Sequence, residues 1–339
     1  MKTVILEKPG SLHLTETAPP DEPGAGEALV RVHRVGICGT DLHAFRGRQP
    51  YFSYPRILGH ELGVEIVALD PESESSLRAG DRCAVEPYLN CGGCSACRRG
   101  RMNCCSHLRV LGVHMDGGMR ELITVPIDKL HRSETLPLEH LALVETLCIG
   151  AHAADRADLE PEQSALVIGA GPIGLTAVAF ARLAGADVAV MEIDENRMRF
   201  VQENLGVEHL IDGRGDAEAQ LRAVFGGDLP LTVFDATGNA RSMMNALGLI
   251  EQGGSVVFIS LVQDDITFPD PEFHRRETTL ISSRNATSSD FARVVETLET
   301  GAIDLDPWLT HSAPPEELIG EFPGWSQPEN QVVKAMLHF

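Results

Sequence analysis

Four cysteines lie close together in a short glycine-rich segment of the chain. They follow the pattern Cys-x2-Cys-x2-Cys-x7-Cys and occupy fifteen residues, at Cys91, Cys94, Cys97 and Cys105. Four thiolates in so short a segment can converge on one tetrahedral zinc ion, which suits sulfur ligands better than other common ions do. Cys104 is adjacent to Cys105, so the spacing leaves open which of the two supplies the fourth ligand. A site closed by four thiolates has no vacant position, and we therefore expect it to be structural.

Disulfide bonds are the alternative use of these cysteines. The chain has eight cysteines and begins Met-Lys-Thr-Val, without the charged-then-apolar pattern of a signal peptide. Proteins that are not exported keep their thiols reduced. We therefore expect zinc rather than disulfides, and a cytoplasmic location.

A second set of metal-ligand types is dispersed along the first half of the chain. Cys38 lies in the string Gly-Ile-Cys-Gly-Thr-Asp, His60 and Glu61 are adjacent, and Glu145 lies inside an apolar stretch. A carboxylate in such a stretch requires a partner. These four residues could form a zinc site with room for water or substrate, as catalysis requires. An inert buried cysteine and a hydrogen-bonded structural histidine are the alternative interpretation.

A glycine-rich turn lies between a predicted strand at residues 165–168 and a predicted helix that runs to residue 184. The turn has the pattern G-x-G-x-x-G and consists of Gly169, Ala170, Gly171, Pro172, Ile173 and Gly174. In this context the glycines permit a tight turn, close approach of a pyrophosphate, and packing of the helix on the strand. The start of the helix offers free N–H groups to phosphates. The sequence therefore predicts a dinucleotide site.

Glu192 ends the next predicted strand, eighteen residues after Gly174. A carboxylate at this point accepts hydrogen bonds from the adenosine ribose, and it would repel the 2′-phosphate of NADP. The predicted cofactor is therefore NAD. Arg197 is a nearby cation that could accommodate a phosphate, with a solvated helix residue as the alternative.

The elements that must position these groups fall into two kinds of sequence. Residues 1–147 contain short predicted strands, separated by proline and glycine, at 28–35, 61–69, 81–86 and 121–125. From residue 148 onwards strands alternate with helices, with a helix at 195–205 and further strands at 187–193, 209–211, 231–234, 255–260 and 279–282. This alternation predicts an α/β fold with a doubly wound parallel sheet. A chain of 339 residues is too long for one ordinary core, and we expect the segment after residue 284 to return to the first domain.

Composition narrows the class of partner. The formal net charge is −21, from 28 basic and 49 acidic residues, which opposes binding to nucleic acid or to an anionic membrane. No run of eighteen apolar residues is present in the sequence. We therefore expect a soluble globular protein whose partner is a small-molecule substrate.

These motifs, in this order, resemble the zinc-dependent medium-chain dehydrogenases of the alcohol dehydrogenase superfamily along nearly the whole chain. The resemblance implies a GroES-like, β-rich catalytic domain at residues 1–147 and 286–339, and a Rossmann NAD-binding domain at residues 148–285. It further implies two zinc ions per chain and assembly into a homodimer or homotetramer. The four-cysteine segment matches the structural zinc site of this family, in which Cys105 rather than Cys104 corresponds to the fourth ligand.

The resemblance also implies roles for single residues. Cys38, His60, Glu61 and Glu145 match the catalytic zinc site, with Glu61 as the carboxylate that ligates zinc or exchanges with water. Asp41 matches the carboxylate that orients the zinc-bound histidine. Thr40 and His43 match a proton relay.

The subgroup follows from a few further residues. Glu145 stands where alcohol dehydrogenases have a cysteine, as in the sorbitol and threonine dehydrogenase branch, although Thr146 replaces the proline usual there. The strings at 49–55, 112–118, 270–274 and 283–287 most resemble bacterial L-galactonate and L-gulonate 5-dehydrogenases. The implied reaction is transfer of a hydride between the C5 hydroxyl of a hexonate and NAD.

Substrate recognition and rival functions complete the expectations. Arg284 could bind the hexonate carboxylate bidentately, with a surface ion pair as the alternative. His114 and Tyr51 could donate hydrogen bonds to substrate hydroxyls. The rival functions are a neutral polyol dehydrogenase of the sorbitol or iditol type, L-threonine 3-dehydrogenase, and a non-catalytic nucleotide-binding protein.

Overall fold

The computed structural model describes residues 1–50 and 52–339. The described chain divides into two compact units. Unit 1 comprises Met1–Thr146 and Ala286–Phe339, and unit 2 comprises Leu147–Asn285. None of the helices in the described part of the chain combines the length and the apolar character that crossing a membrane requires.

Strands and helices are numbered in chain order. The strands are β1 (Lys2–Lys8), β2 (Ser11–Glu16), β3 (Glu27–Ile37), β4 (Glu61–Leu69), β5 (Arg82–Val85), β6 (Tyr88–Leu89), β7 (Arg109–Val110), β8 (Leu122–Pro126), β9 (Leu130–Arg132), β10 (Ser164–Ile168), β11 (Asp187–Glu192), β12 (His209–Asp212), β13 (Thr232–Asp235), β14 (Ser255–Phe258), β15 (Thr279–Ser282), β16 (Leu309–Ala313) and β17 (Lys334–His338). The helices are α1 (Gly39–Phe45), α2 (Ser95–Arg98), α3 (Leu138–Ala157), α4 (Pro172–Leu183), α5 (Glu195–Leu205), α6 (Ala217–Val224), α7 (Ala240–Ala246), α8 (Asp270–Arg275), α9 (Ser288–Glu299) and α10 (Pro315–Glu321). Short 3-10 helices cover Met102–Cys104, Ile127–Lys129, Asp306–Trp308, Gly324–Ser326 and Pro328–Asn330.

Unit 1 is organised around a largely antiparallel sheet. The strand order is β16-β17-β3-β4-β5-β9, and β8 pairs with β3 as well. β3 alternates buried apolar residues such as Val30 and Val32 with the exposed Arg31, as expected for a strand that has one face on a core. The C-terminal strand β17 pairs antiparallel with β3, so the end of the chain adds an interior strand to this sheet. Two smaller pairs, β1-β2 and β6-β7, lie outside it.

Unit 2 contains a six-stranded parallel sheet. Its strand order is β12-β11-β10-β13-β14-β15, in which the chain runs outward from β10 in both directions. This is the order of a Rossmann fold, which binds dinucleotides where the order reverses, outside the carboxyl end of the first strand. The central strands are short and almost wholly buried, because helices cover both faces of such a sheet. The predicted α/β fold class is confirmed.

Several predicted elements are also confirmed. The strand predicted at 61–69 is β4, and the helix predicted at 195–205 is α5. β3 extends the strand predicted at 28–35 by one residue before and two after, whereas β5 is shorter than the strand predicted at 81–86. Strands β1, β2, β16 and β17 were not predicted. Their apolar alternation is brief, and their pairing depends on partners elsewhere in the chain.

Candidate active site

The four-cysteine segment folds into one compact group of sulfur atoms. The thiols of Cys91, Cys94, Cys97 and Cys105 lie within 4.8 Å of one another. The Sγ atom of Cys94 is 3.5 Å from that of Cys97 and 3.9 Å from that of Cys105. Four sulfurs placed 2.3 Å from a tetrahedral zinc would be about 3.8 Å apart, whereas a disulfide requires about 2.05 Å. The donor set and its spacing therefore fit zinc.

Backbone hydrogen bonds favour the thiolate form of Cys94 and Cys105, whereas burial raises the pKa of Cys97. Hydrogen bonds from the backbone of Cys97 and then of Ser106 lower the pKa of Cys94 to about 5. The thiolate is the form of cysteine that binds metals. Cys104 is exposed and lies outside the group, so the structure brings Cys105, not Cys104, to the other three cysteines.

The second group of metal-ligand types forms where β3 ends and β4 begins. The two strands pair antiparallel in a register that sets Gly36 opposite Glu61. Cys38 follows β3 directly and precedes α1, and His60 immediately precedes β4. Ligand atoms of Cys38, His60 and Glu61 consequently lie within 4.8 Å of one another. Three protein ligands of sulfur, nitrogen and oxygen type leave one position open in a tetrahedral zinc site.

Buried polar atoms without partners support this assignment. Among the described residues, Nδ1 of His60 and Oε2 of Glu61 are buried and have no hydrogen-bond partner. A buried polar group without a partner is costly, so such atoms require a ligand. A Cβ atom on Gly36 would lie 2.1 Å from Oε2 of Glu61, so the glycine keeps room for this carboxylate. The residues present fit a bound cation.

The electrostatic surroundings of this group also favour a cation. Burial alone lowers the pKa of His60, but the negative charges of Asp41 and then Cys38 raise it well above its usual value. The same charges that would stabilise a proton on the imidazole would stabilise a metal ion beside it.

Lys334 is a functional contact that the sequence analysis missed. Its Nζ atom donates to Oε1 of Glu61 at 2.5 Å and to the carbonyl oxygen of Ile37 at 3.2 Å. Both side chains of the ion pair are almost fully buried. The available signal was a single lysine in an apolar C-terminal stretch, since a buried ammonium requires a partner.

Glu145 lies close enough to His60 and Glu61 for their charges to affect its pKa, but it lies outside the open metal group, which consists of Cys38, His60 and Glu61. Its side chain is buried on α3, and the three-residue group of Cys38, His60 and Glu61 does not include it. The hydroxyl of Tyr88 donates a very short hydrogen bond to Oε1 of Glu145. Tyr88 was also missed, because nothing in its neighbourhood in the sequence indicates a contact with a residue on a distant helix.

The remaining predicted catalytic residues lie on α1. Asp41 accepts a hydrogen bond from the backbone N–H of Cys38 at 3.0 Å, and its Oδ1 atom is 3.8 Å from Nδ1 of His60. The latter distance is longer than a hydrogen bond. Thr40 is half-buried, and His43 is exposed three residues further along the same helix. The pKa of His43 is lowered, first by desolvation and then by the cations Arg46 and Arg48.

The glycine-rich turn of unit 2 has the geometry that its sequence predicts. Gly169 has a φ of 93°, and Gly171 precedes α4, which begins with Pro172. A Cβ atom on Gly174 would lie 1.8 Å from the carbonyl oxygen of Gly169, so only glycine permits this close packing. Ile173 is half-buried in the first turn of the helix. The turn lies at the carboxyl end of β10, the first strand of the sheet.

Glu192 is engaged with backbone donors in this structure. Its Oε2 atom accepts from the N–H of Ala170 at 2.8 Å, and Oε1 accepts from the N–H groups of Ile193 and Asp194. Two carboxylate oxygens offer about four acceptor sites, so capacity for ribose hydroxyls remains. The half-exposed Arg197 has its Nη1 atom 4.0 Å from Oε2 of Glu192. The carboxylate thus connects β11 to the glycine-rich turn.

The three predicted substrate residues differ in how far the structure describes them. Arg284 is exposed and follows β15 in unit 2. The Nδ1 atom of His114 accepts from the backbone N–H of Val110 at 3.1 Å, so this imidazole closes a turn. Tyr51 lies outside the described residues.

Comparison with known proteins identifies relatives of the whole chain. Residues 24–135 match the alcohol dehydrogenase GroES-like domain family, and residues 172–300 match the zinc-binding dehydrogenase family. The chain is 45% identical to L-galactonate-5-dehydrogenase of Escherichia coli K12 over 93% of this chain and 92% of that protein. It is 32% identical to D-altritol 5-dehydrogenase of Agrobacterium fabrum over 95% of each protein. A solved short chain alcohol dehydrogenase of E. coli CFT073, complexed with NADH, superposes with a TM-score of 0.93 at 30% identity, covering 100% of this chain and 99% of that one.

Proposed function

The chain belongs to the zinc-binding alcohol dehydrogenase family, and we propose that it oxidises the C5 hydroxyl of a hexonate, such as L-galactonate or L-gulonate, with NAD. Membership of this family of polyol and sugar-acid dehydrogenases makes it an enzyme that acts on CH–OH groups. The observation that carries the choice of substrate is the similarity to L-galactonate-5-dehydrogenase over nearly the whole chain.

Each unit is proposed to bind one of the two cofactors, zinc or NAD. Cys38, His60 and Glu61 would hold the catalytic zinc in unit 1, and the glycine-rich turn with Glu192 would hold NAD in unit 2. When bound, zinc supplies a Lewis acid that lowers the pKa of a hydroxyl group, and NAD supplies the acceptor for a hydride. The overall reaction converts the secondary alcohol and NAD⁺ into a ketone, NADH and a proton.

The protein's own residues orient the reaction and remove the proton. Lys334 holds Oε1 of Glu61 and leaves Oε2 without a hydrogen-bond partner. Thr40 and His43 are three residues apart on α1 and therefore lie on one face of that helix. We assign them the transfer of the hydroxyl proton to solvent. The lowered pKa of His43 favours the neutral imidazole, which can accept that proton.

Arg284 is proposed to bind the substrate carboxylate. Its guanidinium offers paired donors that match a carboxylate, and it is exposed in the structure. Such a contact would distinguish a hexonate from a neutral polyol of the same length. Replacing Arg284 with methionine should therefore raise KM for a hexonate more than KM for sorbitol.

A neutral polyol dehydrogenase is the second candidate function. The similarity to D-altritol 5-dehydrogenase over 95% of the chain supports it. In that case Arg284 would contribute to binding another group, and the two substrate classes would respond equally to its replacement.

Rates of NAD reduction with L-galactonate, L-gulonate, sorbitol and L-threonine test the proposal. We expect the highest kcat/KM with one of the two hexonates. No measurable rate with either hexonate, combined with a rate on sorbitol or L-threonine, would replace the leading function by a rival. Cys38→Ala should abolish turnover with every substrate while the fold, followed by circular dichroism, is retained.

Two further properties belong to the same proposal. We expect about two zinc ions per chain by elemental analysis, one in each group of ligands. Since Glu192 would repel a 2′-phosphate, kcat/KM should be higher with NAD than with NADP. We also expect a homodimer or homotetramer.

A further inference from the structure

Tyr88 joins the four-cysteine loop to a carboxylate beside the open metal group. Its side chain is buried on β6, and its hydroxyl donates to Oε1 of Glu145, which is buried on α3. The ring of Phe291 meets the Tyr88 ring edge to face, with the ring centroids 6.1 Å apart. Two buried partners therefore fix the phenol, one through its hydroxyl and one through its ring.

The hydrogen bond from Tyr88 restricts where Glu145 can act. One carboxylate oxygen is committed to the phenol, and Glu145 stays outside the three-residue group of Cys38, His60 and Glu61. A buried carboxylate without a donor would be costly, and it would be free to turn toward the nearest cation. We propose that Tyr88 is a positioning residue, which holds Glu145 beside the open metal group rather than within it and so preserves a vacant position for water or substrate.

The buried ammonium group of Lys129 binds side chains on both sides of Tyr88 in the sequence. The Nζ atom of Lys129 donates to Oε1 of Glu86 at 2.5 Å and to Oδ1 of Asn90 at 3.1 Å. Glu86 and Asn90 lie two residues before and two residues after Tyr88. Ser288 donates to the other oxygen of Glu86 at 2.6 Å. The acceptors that hold Lys129 thus bracket the tyrosine.

The four-cysteine loop begins immediately after this bracket. Cys91 follows Asn90, and β6 pairs with β7, which lies just beyond Cys105. The loop therefore connects the two strands of this pair, and a metal that closes the loop also fixes the end of β6.

The test uses the whole enzyme with cobalt(II) exchanged into the open site and zinc retained by the four cysteines. The visible absorption of cobalt reports its ligands and needs no substrate. In Tyr88→Phe we expect a changed cobalt spectrum. We also expect the rate at which cobalt is released to a chelator to differ about 10-fold or more from that of the wild-type protein. We expect kcat to fall about 10–100-fold, with KM for NAD within about twofold of the wild-type value.

Two variants separate positioning from general damage. In the Glu145→Met background, which has no oxygen to accept the phenol hydrogen bond, Tyr88→Phe should change neither the spectrum nor kcat further, because the tyrosine acts through the carboxylate. Tyr54→Phe removes another phenol hydrogen bond, made at 2.6 Å to the carbonyl of Ala44, and should leave the cobalt spectrum unchanged. An unaltered spectrum and kcat in Tyr88→Phe, or a loss in the Glu145→Met background equal to that in the wild-type background, would overturn the inference.

This inference rests on the proposed function only in taking Cys38, His60 and Glu61 as the reaction centre. If the wild-type enzyme oxidises no hexonate, the proposed substrate fails, while the cobalt spectrum still decides the role of Tyr88. If cobalt does not bind to the open group at all, both proposals fail together, and Cys38→Ala identifies that case because it leaves the metal content unchanged.

Discussion

The ammonium group of Lys334 lies against Glu61 although 273 residues separate them in the chain. The ligand types at Cys38 and His60 can be recognised from short strings, because each motif is local. The partner of Glu61 cannot, because β17 reaches it only after pairing with β3. Local motifs thus predict which atoms can bind metal, while the charges that hold those atoms in place depend on tertiary structure.

Replacing Lys334 with methionine should destabilise the metal-free protein strongly. The change leaves Glu61, which is 1% exposed, without its cation, and breaking a buried pair in this way costs about 3–5 kcal/mol. A divalent cation in the open group would offset part of this loss. We therefore expect a larger decrease in the free energy of unfolding for the metal-free variant than for the zinc-loaded one, measured by urea denaturation of both forms.

Lys2→Met is the matched control for this measurement. Lys2 also pairs with a glutamate, Glu316, at 2.5 Å, but both side chains are about half exposed. Solvent screens an exposed pair, so it contributes little to the free energy of unfolding. Equal decreases in the free energy of unfolding for the two lysine variants would show that the buried Lys334 pair stabilises the protein no more than the exposed Lys2 pair does.

Gly36→Ala should remove zinc from the open group selectively. The added Cβ atom would lie 2.1 Å from Oε2 and 3.0 Å from Cβ of Glu61, so the carboxylate must move away. We expect elemental analysis to give about one zinc per chain instead of two, because the four cysteines remain intact. Turnover should fall with the lost metal.

A second glycine variant controls for the change of residue type. Gly320 lies on α10 and has no atom within 4 Å of its added Cβ position, so Gly320→Ala should keep both zinc ions. Full metal content together with wild-type kcat in Gly36→Ala would contradict the role given to this glycine.

Among the elements, those with strong local patterns were the most predictable. β4 and the helices α4 and α5 of unit 2 follow from apolar periodicity and from glycine punctuation. The two-residue strands β6 and β7 have no such pattern, since they exist only as a pair that connects the four-cysteine loop to the rest of unit 1.

Glu86, just before β6, should make the stability of unit 1 sensitive to acid. Burial alone would raise its pKa, but the hydrogen bond from His131 and the charge of Lys129 hold that pKa below the usual value. A depressed pKa contributes stability above the ordinary glutamate pKa of about 4.3, and the contribution is lost as pH falls through the folded-state value. At pH 7, Glu86→Gln leaves the buried ammonium of Lys129 without its carboxylate and should cost about 3–5 kcal/mol. Below about pH 4.3 the difference in the free energy of unfolding between the variant and the wild-type protein should decrease, as measured by urea denaturation across pH.

Glu139→Gln provides the comparison for an ordinary ion pair. Glu139 accepts from Arg34 at 2.7 Å, and its side chain is 36% exposed. We expect a loss below about 1 kcal/mol at pH 7. A Glu86→Gln penalty that stays constant from pH 7 to pH 3.5 would contradict the assignment of this acid sensitivity to Glu86.

At the scale of the whole molecule, composition predicted the class of partner and the topology of each unit explained where the chemistry lies. A charge of −21 argues against nucleic acid, and alternation of strands and helices predicted the parallel sheet of unit 2. Assembly into oligomers is harder to predict from the sequence, because the sequence pattern of an edge strand resembles that of any other strand. Only its place in the sheet reveals an unpaired edge.

The sheet of unit 2 has two such edges, β12 and β15, and we expect self-association at β15. It pairs with β14 on one side only, and Leu280 is 38% exposed on it. Two copies that pair their β15 edges about a twofold axis would satisfy the free backbone groups and bury both leucines. Leu280→Lys should therefore reduce the mass measured by light scattering toward that of one chain, 36.7 kDa.

Leu183→Lys, on the surface of α4 at 47% exposure, should leave the mass unchanged. A monomeric wild-type protein, or a Leu280→Lys variant with the wild-type mass, would exclude this edge as the interface.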